Sequence, residues 1–152
     1  MNQGKYAIKT QVGSDKSKAD IEHTLERYNA DGFMYGREGD QVIVAFRMLN
    51  RHIKFQMVIP AWESFTLTEK GRKRTENSQY EAYEQGIRQK WRALALVIKA
   101  KLEAVESGIS SFEHEFLANI VLPDGSTVGD FIVPQIETVY SDGKMPPLLP
   151  GA

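Results

Sequence analysis

The sequence predicts an α+β domain in which a small antiparallel sheet packs on one long central helix, with additional C-terminal helices. Two patterns predict this class. Over residues 78–108 the larger apolar side chains recur at intervals of three and four, which is the period of a helix. Over residues 41–59 they alternate, which is the period of strands. A length of 152 residues is typical of one domain, so we expect a single domain over residues 1–152.

The long helix organises this prediction. Ser78 with Glu81 predicts a capping box at its start, and Gly108 predicts a left-handed residue at its end. Residues 93–98 are apolar on every side, so we expect them to be enclosed by the helices after Ser110 or by a second subunit. Roughly 29 residues at about 1.5 Å each make this helix longer than a small domain is wide, which favours a homo-oligomer. Its apolar positions are Tyr80, Tyr83, Ile87, Trp91, Leu94, Ile98, Leu102 and Val105.

The first part of the chain contains short elements. The predicted order is a strand over residues 5–12, a helix opened by Ser17 with Asp20 and closed by residues 29–32, a strand over residues 33–36 and a turn over residues 38–40. The buried stripe of this helix is predicted to be Ile21, Leu25 and Tyr28.

A hairpin carries the clearest strand pattern. In the first strand residues 42, 44, 46 and 48 lie on one apolar side. In the second strand residues 53, 55, 57 and 59 do the same. Residues 49–52 join the two strands, with Asn50 able to accept a positive φ, and Pro60 ends the pairing. Because both apolar faces need one cover, we expect Trp91 and Leu94 to be buried against Val44, Phe46, Phe55 and Met57.

The remaining elements follow from caps and turns. We expect a short strand over residues 64–68, an exposed mobile loop over 69–75, a short helix capped by Ser110 with Glu113, a turn over 122–125, a helix from Thr127 with Asp130 through Tyr140, and an irregular proline-containing tail over 141–152. Pro134 is expected to kink the last helix or to mark its true start. The inward residues of that helix are predicted to be Phe131, Ile132, Ile136 and Val139.

Charge is distributed unevenly along the chain, although the net charge is −1. Residues 47–101 hold 12 Lys/Arg against 5 Asp/Glu, and residues 102–152 hold 1 against 8. The local sums are therefore +7 and −7, and a basic segment of this kind can contact phosphates. The predicted nucleic-acid-binding residues are Arg47, Arg51, Lys54, Lys70, Arg72, Lys73, Arg74, Arg88 and Arg92. Lys90 extends this set on the long helix, and Trp62 and Tyr80 flank the loop, where they could stack on bases. The alternative is a solvated loop and an ordinary polar helix face.

No catalytic site, metal site or cofactor is predicted. His114 lies between Glu113 and Glu115, but adjacent helical positions point in different directions and make a poor metal site. Asp124 and Asp130 occupy turn and cap positions that explain them already. The chain has no cysteine, no signal peptide and no apolar run of membrane-spanning length, so we expect a soluble protein of the cytoplasm.

Several segments together resemble a family of uncharacterised proteins of about this length from tailed bacteriophages and prophages. These segments are KWRALALVIKAKLEAVE at residues 90–106, FLA at 116–118, VLPDG at 121–125, TVG at 127–129 and MPPLLPG at 145–151. The resemblance implies a phage origin and expression in the cytoplasm of a bacterial host. It implies no activity, because the family has no established function.

Two functions are compatible with these observations. The first is a non-enzymatic phage accessory protein that binds DNA or RNA in replication or recombination. The second is a protein- or ligand-binding module that inhibits a host factor such as an anti-phage defence system. The element order of residues 17–107 is similar to that of double-stranded-RNA-binding domains and of some phage annealing proteins, but the link over residues 60–78 is too long for the RNA-binding module. Phosphate-driven binding should weaken steeply with salt, whereas a mainly apolar interface should not.

Overall fold

The structure, a computed structural model, describes the backbone of residues 3–145 and the side chains of residues 14–145. A three-stranded antiparallel sheet of order β1-β2-β3 carries helices on one face, which confirms the α+β class. The elements are α1 (Gln3–Arg27), β1 (Gly32–Glu38), β2 (Gln41–Met48), β3 (Arg51–Val58), α2 (Glu76–Glu106), α3 (Phe112–Phe116) and α4 (Val128–Asp142), with 3₁₀ turns at Trp62–Phe65 and Leu117–Asn119.

The hairpin of β2 and β3 forms in the predicted alternation. Phe46 pairs with Ile53 and Val44 pairs with Phe55, and all four side chains are buried. Met48 pairs with Arg51, so the turn is tighter than the predicted one and contains only two residues. These are Leu49 and Asn50, and both have the positive φ (48° and 59°) that a two-residue hairpin turn of type I′ requires.

One hydrophobic core lies between the sheet and the helices. From α2 it takes Trp91 and Leu94, which confirms that these two side chains are buried (3% and 9% exposed) in one cluster with the inner face of the hairpin. The core residues that the helices contribute are Ile21, Leu25, Ile87, Trp91, Leu94, Ile98, Leu102, Phe112 and Phe116. The long helix is therefore the main cover of the sheet, because most of its predicted apolar positions face it.

The helices α1 and α2 lie side by side and run in the same direction. Near the middle of α1, Lys18 Nζ lies 5.0 Å from the Trp91 ring centroid and 4.2 Å from that of Tyr35. Just beyond the end of α1, Tyr28 lies beside Glu106 at the end of α2. Burial and then the hydrogen bond to Glu106 raise the pKa of the Tyr28 hydroxyl above its ordinary value of 10.0.

The predicted strand over residues 5–12 is wrong, because this segment belongs to α1. The helix begins at Gln3, and Ser17 lies inside it rather than at its cap. A short alternation cannot by itself distinguish a strand from a helix, and an isolated glycine such as Gly13 is tolerated within a helix. The predicted buried stripe is confirmed for Ile21 and Leu25, whereas Tyr28 is partly buried beyond the end of the helix.

Two predicted helix caps are wrong by one to three residues. Thr75, not Ser78, caps α2, and its hydroxyl accepts a hydrogen bond from the backbone N–H of Ser78 at 3.2 Å. Ser111, not Ser110, caps α3. Several hydroxyl residues stand next to each start, and the sequence does not rank them. The stop of α2 at Gly108 is confirmed by its φ of 78°.

The segment between β3 and α2 is more regular than predicted. Residues 62–65 form a 3₁₀ turn instead of the start of a strand, and only Leu67 pairs, with Lys73. Residues 69–75 are largely exposed, as predicted, but the loop is closed by hydrogen bonds. Thr68 N–H donates to the Arg72 carbonyl at 2.7 Å, and Arg74 N–H donates to the Thr66 carbonyl at 2.9 Å.

The helix α4 has the predicted cap but a different environment. Thr127 and Asp130 form the predicted capping box, and these bonds to Thr127 lower the pKa of the Asp130 carboxyl below its ordinary value of 3.8. No side chain of α4 is fully buried. The inward prediction is wrong for Phe131 and Ile136 (59% and 46% exposed), while Ile132 and Val139 are partly buried. Helices α1, α2 and α3 already fill the core, so none of it remains for α4.

Two further predictions each named two alternatives, and the structure excludes one alternative of each. Pro134 lies inside α4, so it does not mark the start of the helix. Within one copy of the chain the helices after Ser110 do not enclose residues 93–98, since Leu96 and Val97 are 62% and 43% exposed while Leu94 and Ile98 are buried. Enclosure by a second subunit stays a prediction. The predicted tail begins within α4, which continues to Asp142, and residues 146–152 lie outside the described part of the chain.

We expect Thr127→Ala to reduce the stability of α4 by about 1 kcal/mol, because it removes the hydroxyl that caps the helix. Since α4 has few packing contacts, the loss should appear locally, as roughly fivefold weaker protection of its first amide hydrogens against exchange. Thr138→Ala is the matched control, because Thr138 lies in the same helix and bonds only the Pro134 carbonyl at 3.1 Å. Equal loss of protection in both variants would contradict the capping role.

Candidate nucleic-acid interface

A groove of about 570 Å³ lies between α1 and α2, and five of its eleven lining residues are lysines or arginines. The sequence explains why these side chains meet. On α1 the lining residues 16, 20, 23 and 27 are separated by four, three and four positions, and on α2 residues 88, 92, 95 and 99 repeat the same intervals. Each set therefore follows one side of its helix, and parallel packing places the two sets opposite each other. The five cations are Lys16, Arg27, Arg88, Arg92 and Lys99.

The groove has an excess of positive charge. Asp20 is its one acidic lining residue among the described side chains. Arg88 forms an ion pair with Glu84 at 3.5 Å, and within the described part of the chain the other four cations form none. Cations that face one another in excess over the nearby carboxylates repel, and a polyanion that enters between them relieves this repulsion. The groove therefore suits a phosphate-rich ligand.

The loop cations lie elsewhere. Lys70, Arg72 and Lys73 are exposed on the loop whose base packs on α2 through Phe65. A Cβ atom added at Gly86 would lie 2.8 Å from Phe65, so this ring sits directly on Gly86. Gly86 and Arg88 are two residues apart, about 200° around the helix, and thus face nearly opposite directions. The structure does not merge the loop cluster and the groove into one surface.

The hairpin cations and one loop cation already have partners. Arg47 forms an ion pair with Asp31 (3.6 Å), Arg51 forms one with Glu113 (2.8 Å), and Lys54 Nζ donates to the Gly125 carbonyl (2.6 Å). Arg74 is partly buried, and its Nε donates to the Leu67 carbonyl at 3.4 Å. Lys90 is exposed on α2 but does not line the groove. Of the nine predicted residues, Arg88 and Arg92 are the two that the structure brings into the groove.

The predicted stacking of bases on Trp62 and Tyr80 does not fit the structure. Tyr80 is buried, at 5% exposed, so its ring face is not accessible. Trp62 is partly buried and packs edge-on against Tyr83, with ring centroids 5.4 Å apart. A ligand in the groove would therefore be held by charge rather than by these aromatic rings.

Other kinds of site have little support in the described residues. They contain no cluster of three His, Asp or Glu side chains that could hold a metal ion, and no helix among them is long and apolar enough to cross a membrane. His114 Nδ1 lies 2.9 Å from Ser111 Oγ. The pKa of the Asp124 carboxyl is lowered by its hydrogen bonds to Ser126, which is consistent with a role in the turn.

Sequence reasoning missed Lys16, Arg27 and Lys99. Lys16 was missed because the predicted helix starts at Ser17. Arg27 lies inside that predicted helix, but residues 1–46 hold 6 Lys/Arg against 7 Asp/Glu, so this segment shows no excess of positive charge. Lys99 follows Arg88 by eleven residues and Arg92 by seven. These spacings place all three on one side of a helix, so they were a usable signal. The two stripes meet because α1 packs beside α2. This long-range contact cannot be read from the periodicity of either helix.

No family model, curated protein or solved structure matches this chain. The geometry and charge of the described residues are therefore the basis on which a function can be inferred.

Proposed function

We propose that this protein binds nucleic acid through the groove between α1 and α2, as a non-enzymatic accessory protein in the replication or recombination of a bacteriophage. The observation that carries the proposal is the set of five cations lining that groove against the single carboxylate of Asp20. The phage setting comes from the resemblance noted for residues 90–151.

The dimensions of the groove suit a sugar-phosphate backbone. Eleven residues separate Arg88 from Lys99, which is about 16 Å along the helix. This length corresponds to about five base-pair steps along the axis of a duplex at about 3.4 Å per step. Lys16 and Arg27 are also eleven residues apart and form the opposite row. Two rows of charge without an accessible tryptophan, tyrosine or phenylalanine ring contact mainly phosphates, so binding should depend little on sequence.

The exposed loop cations Lys70, Arg72 and Lys73 form a second basic surface on another side of α2. They form no ion pair within the described part of the chain, so they could also attract a polyanion. Removing charges from the surface that contacts nucleic acid should weaken binding and its salt dependence, whereas removing charges from the other surface should not. A comparison of equal charge removals therefore decides which of them contacts nucleic acid.

We expect the triple variant Lys16→Gln, Arg27→Gln and Arg88→Gln to bind DNA or RNA less tightly, and its slope of log affinity against log salt to be smaller by about 2–3, because up to three counterions are no longer released. The measurement is fluorescence anisotropy with single- and double-stranded oligonucleotides of both kinds between about 50 and 200 mM salt. The matched control is the loop variant Lys70→Gln, Arg72→Gln and Lys73→Gln, which removes the same number of exposed charges.

The outcomes separate the possibilities. A reduced slope in the groove variant alone supports the groove, and a reduced slope in the loop variant alone moves the site to the loop. Absence of binding by the wild-type protein at about 50 mM salt, where electrostatic attraction is strongest, would refute the proposal. Circular dichroism should show that both variants retain the fold, because the replaced side chains lie outside the core.

One observation favours the alternative function, binding of a protein such as a host defence factor. Helix α4 exposes large apolar side chains, among them Val133, Ile136 and Tyr140. Exposed apolar stripes of this kind mark protein contacts. An interface of this type should keep most of its affinity as salt rises, in contrast to the groove.

A further inference from the structure

The exposed face of α4 has a regular pattern. Val133, Ile136 and Tyr140 are 61%, 46% and 86% exposed and follow one another at intervals of three and four, so they form one stripe along the helix. Asp130 and Glu137 lie seven residues apart along one border of this stripe, and both are exposed. This face of α4 thus combines an apolar stripe with an acidic border.

The solvent-facing side of α2 has the complementary pattern. Ala93, Leu96 and Ala100 are exposed and also follow at intervals of three and four. Arg92 and Lys99 lie seven residues apart along one border of this stripe, and both are exposed. Seven residues correspond to about 10.5 Å on either helix, so the two pairs of opposite charges have the same spacing.

We infer that the chain self-associates by docking the apolar stripe of α4 onto the apolar stripe of α2 in a second copy. The two small alanines of α2 leave room for the larger Val133 and Tyr140, and Leu96 and Ile136 occupy the middle of each stripe. Asp130 and Glu137 then face Arg92 and Lys99. In a two-fold dimer each copy offers one α4 and one α2, so the contact is made twice.

The charges favour this pairing over the simpler one. Two copies of α4 packed on each other would bring the same acidic borders together, and two copies of α2 would bring Arg92 and Lys99 together. Like charges placed across an interface are unfavourable. Among these three pairings of described helices, that of α4 with α2 places apolar stripe on apolar stripe and acidic border on basic border.

This inference goes beyond nucleic-acid binding and does not depend on it. Arg92 and Lys99 line the groove as well as the α2 stripe, so a bound polyanion and the α4 helix of a second copy compete for them. Self-association is therefore tested in the absence of nucleic acid, and its failure would leave the binding experiment unaffected.

The first test is sedimentation velocity of nuclease-treated full-length protein. The wild-type protein should be a dimer, and Ile136→Asp and Leu96→Asp should each be monomers with an unchanged circular dichroism spectrum, since both side chains are exposed. Leu49→Asp is the control, because Leu49 is also 64% exposed but lies in the hairpin turn. A wild-type monomer up to about 100 µM would overturn the inference, as would a dimer that survives both helix variants.

The second test is a charge exchange. Glu137→Lys and Lys99→Glu should each weaken self-association by at least about tenfold, because Glu137 faces Lys99 and each substitution places like charges in contact. Mixing the two variants should restore dimers, since each then meets an opposite charge in its partner. An equimolar mixture that remains monomeric while the wild-type protein dimerises would overturn the pairing of α4 with α2.

Discussion

Replacing Trp91 with alanine is expected to lower the free energy of unfolding by about 3–5 kcal/mol. Trp91 is 3% exposed and lies in the centre of the core between α2 and the sheet. Its ring meets Tyr35 edge-on at a centroid distance of 6.2 Å, and Lys18 of α1 lies 5.0 Å from its centroid. Alanine would leave a cavity and remove the group that α1, α2 and β1 share, because surrounding side chains refill such a space only in part.

The measurement is urea unfolding followed by far-ultraviolet circular dichroism, with the midpoint and slope fitted for each variant. Gln89→Ala is the matched control, since Gln89 lies on the same helix but is exposed. We expect this control to change stability by less than about 0.5 kcal/mol. A loss for Trp91→Ala no greater than that of the control would show that the core does not depend on the ring.

Phe116→Ala is expected to cost a similar amount, about 3–5 kcal/mol. Phe116 is completely buried (0% exposed), and its ring meets Phe46 and Phe55 edge-on at 5.9 and 6.4 Å. It also lies 5.0 Å from Phe112 of the same helix. This cluster attaches the C-terminal segment to the hairpin, so its loss should loosen α3 as well as destabilise the whole domain.

The neighbouring residue supplies the control. Leu117 is 49% exposed, so Leu117→Ala removes apolar atoms from the same segment without opening a core cavity, and it should cost less than about 1 kcal/mol. Both variants can be compared by urea unfolding and by hydrogen exchange in α3 and β3. If the two substitutions had equal effects, the aromatic cluster would not be the main attachment of this segment.

The sequence alone determined the elements in which a strong period covers many residues. The alternation over the hairpin fixes which side chains of β2 and β3 face inward, since a shift of one residue would expose the entire apolar set. The eight apolar positions of α2 likewise fix its inner face over about seven turns. Gly108 and the Thr127 cap could be located because few other residue types satisfy those backbone conformations.

Local patterns were insufficient where they were short or ambiguous. Tyr6, Ile8 and Val12 alternate like a strand, but the segment continues the helix that follows it. Ser78 and Ser110 are acceptable caps, and Thr75 and Ser111 were equally acceptable. Such choices depend on fractions of a kcal/mol of local preference, which packing against the rest of the chain easily outweighs.

Only the tertiary structure decided which surfaces remain exposed and which charges meet. The apolar pattern of α4 predicts a buried face, but α1, α2 and α3 occupy the core and leave Phe131 and Ile136 in solvent. The basic residues of the middle segment divide among the hairpin, the loop and α2, and several form ion pairs with nearby acids or hydrogen bonds with carbonyl groups. The groove exists because Lys16 and Arg27 of α1 face Arg92 and Lys99 of α2, and such a contact depends on how two distant helices pack rather than on the period of either one.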